Sequence, residues 1–459
     1  MKKLIAFIVA VVPVPARPVR LAWLLPLGLA TLLVGVGLPA DETTAAEQRN
    51  GDILPGRYIV MVELGVDPVA VAAGHGVGAA HVYRSALNGF AGPIGPGALA
   101  ALRDDPRVNS IVPDRYVTIA DHKPRHAPGN GGSTGEKAPT GVSRIDAEAV
   151  PSSSVHIAIL DTGIDLDHPD LNVSTAGFSS FGGSPNDGHG HGSHVAGTAA
   201  AKANTIGVRG VAPNAVLHAV KVLNDSGSGS TSEIVAGVEW VTANAASQGI
   251  KVANMSLVGC FALITCVPPP NNDTCGVDPA SGSVNDPLHQ AICASTKAAG
   301  VVYVAAAGNS HADANNYFPA AYPEVITVSA VADYNGKGGG GAAATCTSYG
   351  PDDSFATFSN YGAAVDIAAP GVCILSAHKD GTYKTLSGTS MAAPHVTGAV
   401  ALAAFTVTAG DAMSPRNAAV AALAARGSGN CAYAADWHGH SAGSILYVGP
   451  DPDPAPECS

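Results

Sequence analysis

Short apolar runs alternate with longer amphipathic stretches from about residue 140 onward. Six runs predict strands that are buried on both faces, as in parallel sheets covered by helices; they lie at residues 155–160, 215–223, 251–257, 300–307, 325–331 and 364–370. Four other stretches predict helices, at residues 230–248, 286–299, 388–405 and 414–426. This alternation indicates an α/β fold of three layers, in which a mostly parallel central sheet is flanked by helices.

Local signals mark two of the predicted helix starts. Ser230 and Glu233 have the spacing of a capping box, in which each side chain bonds the backbone N–H of the other residue. Ser414 followed by Pro415 is typical of an N-cap and a first helical position. We therefore expect helices to begin at these two points.

The chain before residue 141 has a different pattern. Residues 47–120 carry the strand-like runs RYIVMVEL and VNSIVPDRYVTIA around an Ala/Leu-rich helical stretch, which predicts a small α+β unit. Residues 121–140 are polar, rich in Gly and Pro and without apolar periodicity, so they predict an exposed linker. Exposed linkers are preferred sites of proteolysis.

Residues 1–46 form a separate region. A mildly basic stretch precedes residues 21–40, which are uncharged, mostly apolar and end in small residues. This pattern predicts a secretory signal peptide that is removed between about Ala40 and Ala46, leaving a secreted protein with no stable membrane association. The alternative is a retained membrane anchor, since about 20 apolar residues can just span a bilayer.

Composition and cysteine spacing narrow the class of protein. Charged residues make up 13% of the 459 residues, and the formal net charge is −12. We expect no nucleic-acid partner, because phosphate binding needs clustered Lys and Arg. The eight cysteines contain no C-x-x-C pair, which favours disulfides over a zinc or redox site. Proximity alone favours the pairs Cys346–Cys373 and Cys431–Cys458.

Three segments place reactive side chains at the ends of predicted elements. Asp161 ends the first strand of the α/β region, His191 begins a helix and Ser390 begins another. Active sites of parallel sheets gather at the carboxyl ends of the strands. A serine hydroxyl becomes a nucleophile when an imidazole takes its proton and a carboxylate orients that imidazole. Taken singly, each residue also suits an ordinary turn, loop or N-cap.

The surroundings of these residues resemble a known family. DTGID, HGSHVAGT and GTSMAAPHV occur in the order Asp, His, Ser, and VAAAGN lies between the last two. They make residues 141–431 similar to the subtilisin-like serine proteases, the subtilases of peptidase family S8. The resemblance implies a serine endopeptidase with a nucleophile, a general base, an orienting carboxylate and an oxyanion-hole amide, which are respectively Ser390, His191, Asp161 and Asn309.

The resemblance also implies where a substrate binds. Two extended segments pair with the substrate backbone, and a third forms the far side of the S1 pocket, which holds the side chain before the scissile bond. Their residues are Gly227, Ser228, Gly229, Ser256, Leu257, Val258, Ala306, Ala307 and Gly308. Members of the family often have Gly where this chain has Val258, so we expect a narrower pocket mouth. The insertion at residues 260–285 either shapes specificity or forms a disulfide-pinned surface loop.

A structural calcium ion is a further implication of the resemblance, whereas no organic cofactor is implied. The implied ligands are hard oxygen atoms, as calcium prefers: the side chains of Asp170 and Asn204 and the backbone carbonyls of Lys202, Ile206 and Val208. The alternative is a loop without metal.

Residues 47–120 resemble the inhibitor I9-type prosegment of these enzymes. The resemblance implies a zymogen that binds its own prosegment as well as polypeptide substrates, and that cleaves itself in or near residues 121–140. The alternative is a permanent accessory domain. We expect the enzyme to be a monomer, and we assign no function to the tail at residues 432–459.

Other functions fit the sequence less well. A metallohydrolase would use the histidines of DGHGHGSHVAGT, but their spacing differs from His-Glu-x-x-His; His194 is expected to pack within the helix and His189 to lie on the loop that leads into the cleft. An α/β-hydrolase would need G-x-S-x-G and another order of the triad. A non-enzymatic relative would be expected to have lost a member of the triad.

Overall fold

The structure, a computed structural model, describes most of the chain after the N-terminal region. The described residues are 49–120, 135–149, 154–261, 286–403, 405–408, 410–426 and 446. The predicted signal peptide, most of the predicted linker, nearly all of the insertion, the Cys431–Cys458 pair and nearly all of the tail lie outside these residues.

Residues 49–120, here called the N-terminal unit, pack two helices against an antiparallel sheet. Its strands are ordered β4-β1-β3-β2. Buried apolar side chains between the sheet and the helices form its core, among them Val60, Val71, Phe90 and Leu102. In chain order its elements are β1 Ile53–Val62, α1 Pro68–Gly74, β2 His81–Tyr83, β3 Gly89–Pro93, α2 Pro96–Arg103 and β4 Val108–Ile119.

Thirteen strands follow the N-terminal unit within the described residues. They are β5 His156–Asp161, β6 Phe178–Ser179, β7 Val216–Lys221, β8 Ser228–Ser230, β9 Ile250–Met255, β10 Leu257–Cys260, β11 Val302–Ala306, β12 Tyr317–Phe318, β13 Val325–Ala332, β14 Ser354–Phe355, β15 Ile367–Pro370, β16 Ile374–His378 and β17 Thr382–Leu386. The central sheet has the order β14-β13-β11-β9-β5-β7-β6, and β15 also pairs with β13. All of its pairs are parallel except β13 with β14. The predicted mostly parallel sheet is therefore confirmed.

The helices cover both faces of this sheet. Beyond the N-terminal unit they are α3 Thr140–Arg144, α4 His191–Ala200, α5 Thr231–Gln248, α6 Pro287–Ala299, α7 Thr389–Leu402 and α8 Met413–Ala425. Helices α4, α7 and α8 share one apolar core with the sheet, whereas α5 and α6 share another on the opposite face. The three-layer fold is thus confirmed.

One of the two predicted helix starts is correct. Ser230 caps α5, and it forms the reciprocal capping box with Glu233. Helix α8 instead begins at Met413, so the prediction that Ser414 is its N-cap is wrong. The Ser414 hydroxyl accepts the backbone N–H of Thr408 at 2.6 Å, and it therefore serves the preceding segment rather than the helix.

The predicted Cys346–Cys373 disulfide is confirmed, with the two Cα atoms 5.7 Å apart. Among the residues that the structure describes, no helix is both long and apolar enough to cross a bilayer.

Candidate active site

Asp161 and His191 meet at the carboxyl end of the central sheet. Asp161 is the last residue of β5, and His191 is the first residue of α4. The His191 Nδ1 atom lies 2.7 Å from Asp161 Oδ1, and both side chains are buried. The same carboxylate oxygen accepts the backbone N–H of Thr162 at 2.7 Å. This contact with the carboxylate fixes the orientation of the imidazole ring.

A second buried carboxylate, Asp187, holds the start of α4. Its Oδ1 accepts the backbone N–H groups of His189 and Gly190, at 2.9 and 2.7 Å, and the Thr162 hydroxyl at 2.9 Å. Its Oδ2 accepts the N–H and the hydroxyl of Ser193, at 2.9 and 2.6 Å. The first N–H groups of a helix have no partner within the helix, so this carboxylate supplies one. Sequence reasoning missed Asp187, because the residue at the N-cap position of α4 is Gly190 and a capping signal is sought only there.

Ser390 and Asn309 converge on one carbonyl group, that of Ala120. Ser390 is the second residue of α7, and its hydroxyl contacts the Ala120 carbonyl oxygen. Asn309 follows β11, and its Nδ2 donates to the same oxygen at 2.5 Å. The Asn309 Oδ1 is held by the N–H and the hydroxyl of Thr389, both at 2.9 Å. A carbonyl between a hydroxyl and an amide donor has the surroundings of a scissile carbonyl.

The chain that carries Ala120 lies in a cleft of the α/β region. Residues 116–119 of β4 form a strand between β8 and β10, antiparallel to both. The N–H of Ile119 donates to the Gly227 carbonyl at 3.0 Å, and the N–H of Ala120 donates to the Ser256 carbonyl at 3.1 Å. The predicted substrate-binding segments thus bind the end of the N-terminal unit by β-strand addition; the predicted residues of β8 and β10 that pair with it are Ser228, Gly229, Leu257 and Val258.

The predicted far side of the S1 pocket follows directly from β11. Ala306 ends the strand, and Ala307 and Gly308 continue toward Asn309. Gly308 has a φ of 104°, and a Cβ atom built there would lie 2.4 Å from Asn360 Nδ2. The same Nδ2 donates to the Ala307 carbonyl at 2.8 Å, so only glycine fits at residue 308.

The other two histidines of the cluster differ in their surroundings. His194 is buried within α4, and its Nε2 donates to the carbonyls of Ile374 and Lys384, both at 3.0 Å. Burial lowers the pKa of His194 to about 3, so it is a neutral packing residue. His189 lies beside Gly227, where its Nε2 is 3.4 Å from the position of an added Cβ. Burial, and next the charge of His191, lower the pKa of His189.

The cluster of His189, His191 and His194 does not form a metal site. Within the described ranges, the one group of His, Cys, Asp and Glu side chains close enough to share an ion is His289, Cys293 and Glu324. Cys293 is disulfide-bonded and therefore offers no thiolate.

The residues predicted for calcium surround a buried carboxylate. Asp170 Oδ1 accepts the Asn204 side-chain amide at 2.9 Å, and Oδ2 accepts the N–H of Val208 at 2.8 Å. Burial raises the pKa of Asp170 above its ordinary value. Glu136 accepts the backbone N–H of Asn204, so a second carboxylate lies beside this loop. Sequence reasoning did not identify this residue. The remaining predicted ligands belong to the same loop: Lys202 and Ile206.

Comparisons with known proteins identify the family of the chain. The model of the subtilase family, Peptidase S8, matches residues 152–425, and the model of peptidase inhibitor I9 matches residues 66–120. An alkaline protease of Alkalihalobacillus alcalophilus is 40% identical over 316 residues, which cover 67% of each chain. Subtilisin Savinase of Lederbergia lenta is 43% identical over 274 residues, 58% of this chain and 84% of that protein.

The solved structure of a cold adapted subtilisin-like serine proteinase is also similar. It is 33% identical, with a TM-score of 0.49, and the match covers 68% of this chain and 99% of that one.

Proposed function

The chain belongs to the subtilase family and is a serine endopeptidase, and from this premise we propose that four side chains carry its catalysis. They are Asp161, His191, Ser390 and Asn309. The Ala120 carbonyl carries the proposal, because it receives the Asn309 amide while it contacts the Ser390 hydroxyl. Both residues of the Asp161–His191 pair lie at the same edge of the parallel sheet as Asn309, since β5, β9 and β11 run in one direction.

The reaction then follows the acyl-transfer chemistry of a serine nucleophile. The Ser390 oxygen adds to the carbonyl carbon while His191 takes the hydroxyl proton, and the Asn309 amide stabilises the negative charge that develops on the carbonyl oxygen. When the C–N bond breaks, the leaving amine takes the proton from His191, and the acyl group stays on Ser390. Water, deprotonated by the same imidazole, releases the acid and restores the hydroxyl.

The inhibitor I9 match indicates a protease that is made as a zymogen and inhibited by its own N-terminal unit, hereafter the prosegment. We propose that the enzyme cleaves itself between Ala120 and Asp121. The antiparallel pairing of β4 with β8 and β10 supports this choice, because it delivers Ala120 to Ser390 in an extended conformation. The bond lies at the boundary of the segment in which the sequence predicts processing.

Polar contacts outside the cleft hold the prosegment on α5. The Glu239 carboxylate on this helix accepts backbone N–H groups from all four residues of the turn at 84–87. In return, Asp114 of the prosegment accepts the N–H and the hydroxyl of Ser232 at 2.9 and 2.6 Å, in the first turn of α5. These contacts do not depend on the Ala120–Asp121 bond, so we expect inhibition to outlast cleavage.

We also propose a structural calcium ion beside Asp170. The carboxylates of Asp170 and Glu136 both accept hydrogen bonds from Asn204, whose side-chain nitrogen faces Asp170 while its oxygen accepts the N–H of Ile206 at 2.8 Å. Once this amide turns over, these side chains and the carbonyls of the same loop offer the hard oxygen donors that calcium prefers. A bound ion would offset the charge of Asp170 and connect the end of the linker, at Glu136, to the loop at 202–208.

Export from the cell is a further part of the proposal. Residues 21–40 have the apolar character of a signal peptide, and the Cys346–Cys373 disulfide suits an oxidising compartment.

The proposed function is tested by Ser390→Ala in the full chain. We expect no peptidase activity, no labelling by a fluorophosphonate and a precursor that stays uncleaved, with Ser247→Ala on the exposed side of α5 as a matched control. N-terminal sequencing should show that the mature wild-type enzyme begins at Asp121. A Ser390→Ala chain that still cleaves itself would refute the assignment of the nucleophile.

A further inference from the structure

We propose that Val258 closes the S1 pocket to large side chains, so that this enzyme cleaves after alanine and residues of similar size. The proposal rests on the proposed function, because it concerns the pocket that holds the residue before the scissile bond. It goes further by naming the class of substrate and the side chain that selects it.

The two walls of the pocket lie too close for a large side chain. Val258 of β10 is buried, and its Cγ1 is 3.6 Å from the position of a Cβ atom on Gly308, in the opposite wall. The Gly308 Cα itself then lies within roughly 5 Å of that methyl group, one bond length further away. A ring between two walls needs about 7 Å, twice the van der Waals contact distance of carbon. The pocket mouth is therefore narrower than an aromatic side chain.

Ala120, the residue that occupies the S1 pocket, is small enough for this narrow pocket mouth. Ala120 is only 2% exposed, and it belongs to the same buried apolar cluster as Val258. The pocket therefore closes around the single methyl group of Ala120. The prosegment presents the small residue that the pocket accepts.

Val258 cannot easily move out of the way. Its branched side chain has few rotamers, and its backbone is paired with Thr118 of the prosegment. On the other side of β10, Gly259 pairs with Phe318, whose ring covers the glycine. The next residue, Cys260, is disulfide-bonded. The pairing with β12 and the disulfide do not depend on the prosegment, so we expect the wall to keep its position in the mature enzyme.

The test compares mature enzymes whose active-site concentration is titrated with a fluorophosphonate. Tetrapeptide p-nitroanilides that differ only in the last residue, Ala, Leu or Phe, report kcat/KM for each side chain. We expect the wild type to prefer Ala over Phe by at least ten-fold. The Val258→Gly variant should raise the Phe-to-Ala ratio of kcat/KM by about 10–200-fold, which is the usual effect of adding or removing a few carbon atoms in an apolar pocket. The ratio for Val258→Ala should lie between those of the wild type and Val258→Gly.

Val173→Ala, at an isolated bridge with Leu217 outside the cleft, is the matched control and should leave the ratio unchanged. A wild type that cleaves after Phe as well as after Ala would overturn the proposal, and so would an unchanged ratio in Val258→Gly. An enzyme that neither reacts with the fluorophosphonate nor hydrolyses any of the peptides would instead refute the proposed function.

Self-processing gives a second measurement that does not require a stable Val258 variant. In the full chain, Ala120→Phe should slow cleavage after residue 120 by at least ten-fold, whereas Ala120→Ser should be processed at about the wild-type rate. Cleavage of Ala120→Phe at the wild-type rate and at the same bond would show that the pocket admits a ring, and would overturn the proposal.

Discussion

Single residues divide into those that the sequence identified and those that only the packed structure brings to the site. Asp161, His191 and Ser390 stood out because proton transfer to a serine nucleophile requires these residue types at element ends. Asp187 binds the backbone beside His191, at Gly190, and Thr389 binds the side chain of Asn309, both through ordinary hydrogen bonds. Such supporting roles suit any short polar side chain, so the residue type alone could not reveal them.

Met391 gives a prediction at this scale. It directly follows the proposed nucleophile and is fully buried, so a sulfoxide there would place a polar oxygen in a packed site. We expect treatment with hydrogen peroxide to abolish most of the peptidase activity, measured as the fraction of initial rate that remains. Met391→Leu, which cannot form a sulfoxide, should keep its activity under the same treatment. Equal losses in the two enzymes would contradict the prediction.

A second prediction concerns Asp333, which is buried beside Arg144 with Oδ2 3.3 Å from Nε. Burial raises its pKa to about 6, from 3.8 in the unfolded chain. Between these values the folded state keeps a proton that the unfolded state loses, so stability decreases as pH rises from about 4 to 6 and stays lower above that range. Two pKa units correspond to at most roughly 3 kcal/mol.

Asp333→Asn should remove this decrease, because an amide carries no proton to lose. The measurement is the melting temperature between pH 4 and 7, on mature enzyme blocked with a fluorophosphonate to prevent self-digestion. Asp380→Asn, at an exposed turn residue, should retain the wild-type slope. The prediction fails if wild type and Asp333→Asn change in parallel over this range.

At the scale of elements, the sequence predicted the sheet and its helices well, because strands buried on both faces must be continuously apolar. The run at residues 251–257 is the exception, since it divides into β9 and the start of β10. That break moves the chain out of the central sheet to form one side of the cleft. The boundary of α8 was also misjudged, because the Ser414 hydroxyl binds a neighbouring segment.

Helix α5 gives a prediction about inhibition. Its Glu239 carboxylate accepts four N–H groups of the prosegment turn, and hydrogen bonds to a charged acceptor contribute about 1.5–3 kcal/mol each. Glu239→Gln should weaken the affinity of the cleaved prosegment for the enzyme at least ten-fold. The interval between self-cleavage and full activity should therefore become shorter. Electrophoresis follows the cleavage, and a peptide substrate follows the activity.

Glu63→Gln is the matched control, because this glutamate is exposed on the prosegment. It should leave the interval as in the wild type. An unchanged interval in Glu239→Gln would mean that the turn at 84–87 contributes little to inhibition.

At the scale of the whole molecule, the important contacts join segments that are distant in sequence. Residues 116–120 meet strands more than a hundred residues later. Local patterns carry no information on such pairing, and its register depends on the docking of the prosegment as a whole. The resemblance implied an inhibited cleft, whereas the proposal of cleavage after Ala120 rests on contacts that only the structure contains. Likewise, Glu136 reaches the loop of Asp170 across the fold.

The proposed calcium ion gives a prediction at this scale. A ligand that binds only the folded state stabilises it by RT ln(1 + [L]/Kd). Chelation with EGTA should therefore lower the melting temperature of the inhibitor-blocked mature enzyme, and added calcium should restore it. Asp170→Asn should melt at a lower temperature and no longer respond to calcium. A wild-type melting temperature that is the same with and without chelator would refute the ion.

The end of β4, which fills the cleft, has a consequence for the kinetics of activation in a population of enzyme molecules. If the prosegment stays bound after the proposed cleavage, the first copy to lose it can digest the prosegments of its neighbours. Activation is then autocatalytic in a population, with a lag followed by a steep rise, and the lag shortens as the enzyme concentration increases. Activity would then stay low while the enzyme is dilute and rise almost at once where it accumulates.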